Sequence, residues 1–298
     1  MKQISPLAFG TMQFGSRADF AASSAMFEAC LAAGVTHFDT ACGYNGGASE
    51  TILAALATPV RDQVYIATKV GYEGGAGRAN ITAQFEQSFA RLGAIDLVYL
   101  HRFDPDTPLE ETIATFADWQ ARGQIRHIGL SNFSAWAVMK AQGIAAQMGT
   151  RIDAIQPMYN LVKRQAEVEI LPMARDQGIA VYPYSPLGGG LLTGKYARGA
   201  EGRLSEDSRY AARYGAATMH KTAADLADLA DAIGVPAATL AVAWVKARGV
   251  TPIISAKSVE QLAPSLAALS FDLTSALHGQ ISALSPTPPP ATDRSEEA

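Results

Sequence analysis

Apolar runs of strand length alternate with amphipathic stretches of helical length along nearly the whole chain. Eight runs read as strands, at 7–12, 35–40, 63–69, 95–101, 127–131, 152–157, 179–184 and 252–255. Between and after them the spacing of apolar positions predicts helices near 20–33, 48–57, 80–92, 109–122, 134–148, 165–177, 220–233, 236–248 and 258–269. Asn80 ahead of "ITAQFEQSFARL" and Ser134 ahead of "AWAVMKAQ" supply helix-start signals. Gly34, Gly178 and Gly249 stand where helices end before the next strand, in places that suit a left-handed closing residue. Strict alternation means parallel strands joined by right-handed crossovers. Eight such units in one chain point to a closed (β/α)8 TIM barrel, α/β in class and a single domain over 1–284. The tail 285–298, "SPTPPPATDRSEEA", is rich in proline and charge and is expected to be disordered.

Composition removes several function classes. The 298 residues carry a formal net charge of −4 with no basic stripe, which argues against a nucleic-acid partner. No run approaches the roughly 18 uninterrupted apolar residues of a membrane span, so no membrane association is expected. Cys30 and Cys42 are too few for a thiol metal site or a disulfide framework, and no metal is expected. The first residues lack an apolar signal region, so a cytoplasmic location is expected.

In a barrel of this kind, chemistry collects where the strands end at their carboxyl side, because the loops there converge over the mouth. Asp39 ends the second strand and Tyr44 follows in its loop, Lys69 ends the third, and His101 ends the fourth. Each alone reads as an ordinary structural residue; together they are a set with complementary proton affinities. A free tyrosine, with a pKa of about 10, is a reluctant proton donor at neutral pH. A Lys69 ammonium held charged by Asp39 is expected to lower the Tyr44 pKa, and His101 would orient a substrate carbonyl. No serine or cysteine has an obvious activating base, so the missing nucleophile is expected to be a hydride from a cofactor.

The order of "FGTMQFG", "FDTACGY", "ATKVG", "LVYLHR", "IRHIGLSNF", "IQPMYNLVKR", "YSPLGGGLLTGKY" and "IISAKSVEQL" resembles the aldo-keto reductases from about 7 to 269. The resemblance implies a barrel that binds a nicotinamide cofactor in extended form, with Asp39, Tyr44, Lys69 and His101 on the family's catalytic tetrad. Tyr44 would be the acid in carbonyl reduction, and its phenolate the base in alcohol oxidation. It further implies that Gly10, Thr11 and Met12, with Asp39, border the cofactor; that Ser131, Asn132 and Gln156 bond the carboxamide; and that Tyr184 stacks on the nicotinamide. The segment Ser185, Pro186, Leu187, Gly188, Gly190, Leu191 and Lys195 would lie over the pyrophosphate. The same segment nearly spells a nucleotide-triphosphate loop from Gly189, but Tyr196 stands where that motif needs a hydroxyl for Mg²⁺. Ser255, Ala256, Lys257, Gln261 and Ser265 would meet the adenosine end, the lysine favouring NADP(H) over NAD(H). Pro264 and Ser265 replace the Glu-Asn pair usual in the family, which bears on that preference.

Substrate identity is less legible. Met12, Tyr44, Tyr72, His101, Arg102 and Phe103 are candidate wall residues for a small carbonyl or alcohol substrate, with Arg102 hinting at an anionic or hydroxylated one. The loop style resembles branches that act on sugars, aryl aldehydes or pyridoxal. An alternative reading is a cofactor-binding, redox-sensing auxiliary subunit of a membrane channel with little turnover, disfavoured by the lack of an N-terminal extension. Oligomeric state is not readable from the pattern.

Overall fold

The computed structural model describes residues 4–196, 199, 202–292 and 296. Eight parallel strands form one sheet: β1 (Ala8–Gly10), β2 (His37–Asp39), β3 (Tyr65–Val70), β4 (Leu97–Leu100), β5 (His127–Ser131), β6 (Ala154–Gln156), β7 (Ala180–Val181) and β8 (Ile253–Ile254). Each pairs with its neighbours in sequence, and β1 pairs with β8. The remaining seam closes through Thr251 N to Val181 O (3.0 Å) and Ile253 N to Pro183 O (2.9 Å), with a parallel bridge between Tyr184 and Ile253. The sheet therefore curls into the expected (β/α)8 barrel.

Helices surround it: α1 (Phe20–Ala32), α2 (Ala48–Ala57), α3 (Arg78–Leu92), α4 (Leu109–Ala121), α5 (Ala135–Gln147), α6 (Ile170–Asp176), α7 (Arg203–Glu206), α8 (Ser208–Tyr214), α9 (Ala217–Ile233), α10 (Ala237–Lys246), α11 (Val259–Leu266) and α12 (Ser275–Ala283). Gly34, Gly178 and Gly249 take φ of 78°, 60° and 75°, as their helix-closing positions require. Ser134 is the N-cap of α5. Asn80 is not a cap: α3 starts at Arg78, and the Asn80 amide instead donates to the carbonyls of Glu73 (2.8 Å) and Gly75 (2.7 Å), tying down the preceding loop. The single helix expected over 165–177 begins as a 3-10 turn, Gln165–Glu167, ahead of α6.

Three helices were not anticipated. α7 and α8 lie in the long connection after β7, and α12 follows the last barrel unit. α12 is fastened by Arg164, whose guanidinium donates to the carbonyls of Ser282 (3.0 Å) and Ser285 (3.1 Å), and by Trp244 Nε1, which donates to Ser282 Oγ (2.8 Å). The expectation of a disordered tail at 285–298 falls partly on 293–295, 297 and 298, outside the described residues.

Side chains alternate across each strand. Phe38, Ile66, Val70, Val98 and Leu100 point outward into the layer shared with the helices, where Phe85 and Trp119 stack at 4.1 Å. Ala8, Tyr65, Ala67, Leu97, Tyr99 and Ala154 fill the barrel axis. Extending that period by two residues puts Gly10, Asp39, Lys69, His101 and Gln156 on the inward face at the carboxyl end. The pleat thus delivers five residues from different strands to one mouth.

Candidate active site

The four residues expected to carry chemistry gather there. Lys69, 1% exposed, donates from Nζ to the Asp39 carboxylate, to Thr40 O (2.7 Å) and to Tyr44 Oη (3.4 Å). Gln156 Nε2 donates to the other Asp39 oxygen at 2.8 Å. The rings of Tyr44 and His101 meet edge to face with centroids 5.9 Å apart. Burial works against the charge on Lys69, but Asp39 and Tyr44 outweigh it and hold the ammonium's pKa above its ordinary value. The lysine is therefore charged.

One expectation holds only in part: Lys69 acts on Tyr44 in the expected direction, but the net shift is upward. Burial pushes the Tyr44 phenol up, Lys69 pulls it down and Asp39 pushes it up again, leaving it above the ordinary tyrosine value. One ammonium already shared with a carboxylate does not overcome desolvation. At neutral pH Tyr44 thus carries its proton, the state a donor must start from. His101 is driven down to about 3 by burial, with Lys69 and Arg102 adding to it, so its imidazole is neutral. Burial raises the Cys42 thiol to about 11, and it donates to Gln84 Oε1 at 3.3 Å, so it is no thiolate nucleophile.

The residues expected around a cofactor fall into three groups. Beside the four lie Ser131, whose hydroxyl donates to Gln156 O (3.0 Å), and Asn132, whose amide donates to His101 O (2.9 Å) while its oxygen accepts from Tyr184 Oη (2.6 Å). Asn132 and Ser185 both hold positive φ, 59° and 60°, in the left-handed region that non-glycine residues enter at a cost. Gly10 packs so closely on β8 that a side-chain carbon there would lie 2.9 Å from Ile253. Met12 is partly exposed, whereas Thr11 is fully buried, its hydroxyl engaged with Asp39 O (3.2 Å) and Ser49 (2.8 Å).

A second group follows β7. Pro186 and Leu187 lead into the 3-10 segment Gly188–Thr193, in which Gly188, Gly189 and Gly190 all take positive φ and Leu191 is buried; Lys195 Nζ lies 4.8 Å from the centre of the Tyr196 ring. No helix opens at Gly194 and Lys195, as a triphosphate loop would require. The third group follows β8: Ser255, Lys257 and Gln261 are exposed, and Gln261 Oε1 accepts from Lys257 N (2.8 Å). Ala256 and Ser265 are buried, at 4% and 1% exposed, so the Ser265 side chain does not join the exposed trio.

On the outer wall the Tyr72 ring lies 4.8 Å from His101, and Arg102 lies over Tyr72 at 5.1 Å. Phe103 meets Trp136 at 5.8 Å, and Trp136 is 63% exposed at the start of α5. Sequence reasoning passed over Trp136, and over Tyr210 and Arg213 on α8, whose fields reach Tyr44 and Tyr184. The repeat "RYAARY", with Arg-Tyr recurring at i,i+4, was the available signal that this segment is helical.

No group of three or more His, Cys, Asp or Glu among the described residues could hold a metal. No single described helix is long and apolar enough to cross a membrane.

A parallel eight-stranded barrel gathers a charged lysine, a buried carboxylate, a protonated phenol and a neutral imidazole at the carboxyl ends of its strands, the end where barrels of this class carry their sites. Residues 6–286 match the Aldo/keto reductase family, and the chain belongs to it. It is 33% identical to the uncharacterized oxidoreductase YrpG of Bacillus subtilis (strain 168) over 313 residues, covering 96% of this chain and 94% of that protein. It is 40% identical to human aflatoxin B1 aldehyde reductase member 2 over 195 residues, covering 63% of this chain but only 54% of the relative. It is 32% identical to a probable voltage-gated potassium channel subunit beta of Arabidopsis thaliana over 268 residues, covering 81% and 80%. The protein is accordingly an oxidoreductase of a family that uses a nicotinamide cofactor.

Proposed function

We propose that the protein reduces the carbonyl of a small aldehyde or ketone with NADPH, and runs the reverse reaction with NADP. The observation that carries this reading is the Lys69 ammonium lying between the Asp39 carboxylate and the Tyr44 hydroxyl, 3.4 Å from the latter. When bound, the dihydronicotinamide supplies a hydride to the carbonyl carbon. Asn132 and Gln156 offer amide groups for the carboxamide and Tyr184 a flat ring for stacking. Gly188–Lys195 offers a close backbone approach to phosphate, and Lys257 a cation for a 2′-phosphate.

Within that site the neutral His101 presents an N–H to the carbonyl oxygen and fixes its direction. As negative charge grows on that oxygen, Tyr44 gives up its proton, and the phenolate is stabilised by Lys69. Asp39 keeps Lys69 charged and in place. A high resting pKa does not prevent the transfer, because the acceptor is an alkoxide, a far stronger base than a phenolate.

Substrate breadth follows from the rim. Tyr72, Phe103 and Trp136 offer aromatic surface, and Arg102 offers a cation, which fits an aryl aldehyde or a carbonyl compound bearing an anionic or hydroxyl group. The similarity to a potassium channel beta subunit supports a second reading, a cofactor-binding sensor with little turnover, located wherever its channel partner is. Titration of the protein with NADPH and NADH by cofactor fluorescence, followed by NADPH oxidation over an aldehyde panel, separates the two. Steady turnover with at least one aldehyde supports the enzyme; tight cofactor binding without turnover supports the sensor; no cofactor binding defeats both.

A further inference from the structure

The stretch that carries Asp39 and Tyr44 ends in Ser49 and Glu50, which the reaction itself does not use. Tyr44 sits on a loop in which Asn45, Gly46 and Gly47 hold φ of 53°, 63° and 93° in succession, left-handed values that the two glycines adopt freely and that carry a modest cost at Asn45, and side chains from both sides hold this loop. From one side Asn45 Nδ2 donates to Met12 O (2.9 Å) and Phe14 O (2.7 Å). From the other comes Arg91, at the end of α3. Its Nη1 donates to Cys42 O (3.3 Å) and to Glu50 Oε2 (2.8 Å). A side-chain carbon on Gly47 would overlap the guanidinium, so Arg91 occupies the space beneath the loop.

Glu50 is 0% exposed, and its second oxygen accepts from Thr68 Oγ1 at 2.6 Å. Thr68 directly precedes Lys69 on β3. One buried carboxylate therefore links the strand that carries the ammonium to the arginine that supports the loop carrying the phenol. We propose that Glu50 and Arg91 are positioning residues that set the separation of Tyr44 from Lys69, a role that rests on the reading of Tyr44 as proton donor. Arginine suits this task because its flat guanidinium fits under Gly47 while Nη1 serves the carbonyl and the carboxylate and Nη2 donates to Gln87 Oε1 (3.4 Å); a lysine offers a point charge without that flat face.

The test is Arg91→Lys, which retains a cation for Glu50 but loses the flat guanidinium under Gly47. Two readouts are taken: steady-state reduction with NADPH, and the Tyr44 resonance in protein labelled with [13Cζ]tyrosine, assigned by its loss in Tyr44→Phe. We expect kcat to fall about 10- to 100-fold with KM and the cofactor Kd within about twofold, and the Tyr44 resonance to shift. An unchanged kcat and an unmoved resonance overturn the proposal, whatever happens to Tm, since a brace that only joins α2 to α3 changes Tm alone. Should wild-type protein show no turnover while the resonance still moves in the variant, the positioning role stands and the enzymatic reading fails. If Arg91→Lys does not fold, the double variant Glu50→Gln/Arg91→Gln, which strands no buried charge, provides the same two readouts.

Discussion

Lys69 Nζ reaches Tyr44 Oη at 3.4 Å while it also donates to Asp39 and to Thr40 O at 2.7 Å. The ammonium is thus divided among three acceptors, and the phenol receives the longest of the three contacts. Burial raises the Tyr44 pKa, and an ammonium divided in this way, with Asp39 beside it, does not bring it back to the ordinary value. The division also suits an acid whose proton must stay in place until charge develops on the substrate.

Tyr44→Phe removes the proton and little else, because the ring keeps its edge-to-face packing on His101. We expect kcat for aldehyde reduction to fall by about 10²- to 10⁴-fold, the usual contribution of a placed general acid. NADPH affinity, read by cofactor fluorescence, should change by less than about twofold. Turnover at the wild-type rate would remove Tyr44 from the mechanism.

The barrel and its mouth were legible because period-2 alternation speaks directly in the sequence. His37 and Asp39 share a face, as do Tyr65, Ala67 and Lys69, and the structure turns both sets inward. The direction of the Tyr44 shift was not legible, since it depends first on how deeply the phenol is buried and then on how many acceptors share one ammonium. Arg91 was hidden for a different reason: it lies on α3, 41 residues from Glu50, and a lone helix-end arginine in a sequence reads as a solvated charge. α12 escaped notice because its apolar face is short and its packing partners, with the hydrogen bonds from Arg164 and Trp244, come from distant parts of the chain.

Lys257 is exposed, and its side chain stands free of any carboxylate among the described residues, beside exposed Ser255 and Gln261. If it meets a 2′-phosphate, Lys257→Ala removes one charge-assisted hydrogen bond, worth about 1.5–3 kcal/mol. NADPH should then bind roughly 10- to 100-fold more weakly, while NADH changes by less than about twofold. Equal losses for the two cofactors, measured by fluorescence titration, would place the 2′-phosphate elsewhere.

Arg164, with its side chain 6% exposed, joins Glu167 through two nitrogens (2.9 and 3.0 Å) and also holds the carbonyls of Ser282 and Ser285. Arg164→Met takes the arginine donor from Ser285 O, leaves Ser282 O with only backbone N–H partners such as Ser285 N (3.5 Å), and leaves Glu167 with Arg248 and Tyr159 as side-chain partners. We expect a loss of about 2–5 kcal/mol in urea unfolding. Early cleavage near α12 under limited proteolysis should accompany it, with kcat at low temperature unaltered, because the contact lies outside the barrel mouth. Wild-type stability in this variant would mean that α12 is not held through Arg164.

His37 lies on the barrel axis, 0% exposed, its ring edge-on to Tyr65 (4.9 Å) and Tyr182 (4.7 Å) and both ring nitrogens without a hydrogen-bond partner. Burial first, then the positive charge of Lys69, holds its pKa near 3, with Asp96 pulling weakly the other way. Below pH 6.5 the unfolded chain binds a proton at this residue that the folded chain refuses, so folding loses stability as pH falls from about 6.5 towards 3 and regains it on the way up. The contribution approaches about 1.4 kcal/mol per pH unit in that window, or about 2 kcal/mol between pH 7 and pH 5. His37→Phe keeps an aromatic ring against the two tyrosines and removes the titration. Urea unfolding at pH 7 and pH 5 should therefore show the variant losing about 2 kcal/mol less than the wild type, every other histidine being common to both. An equal loss in the two proteins would mean that His37 takes up a proton in the folded barrel as readily as in the open chain.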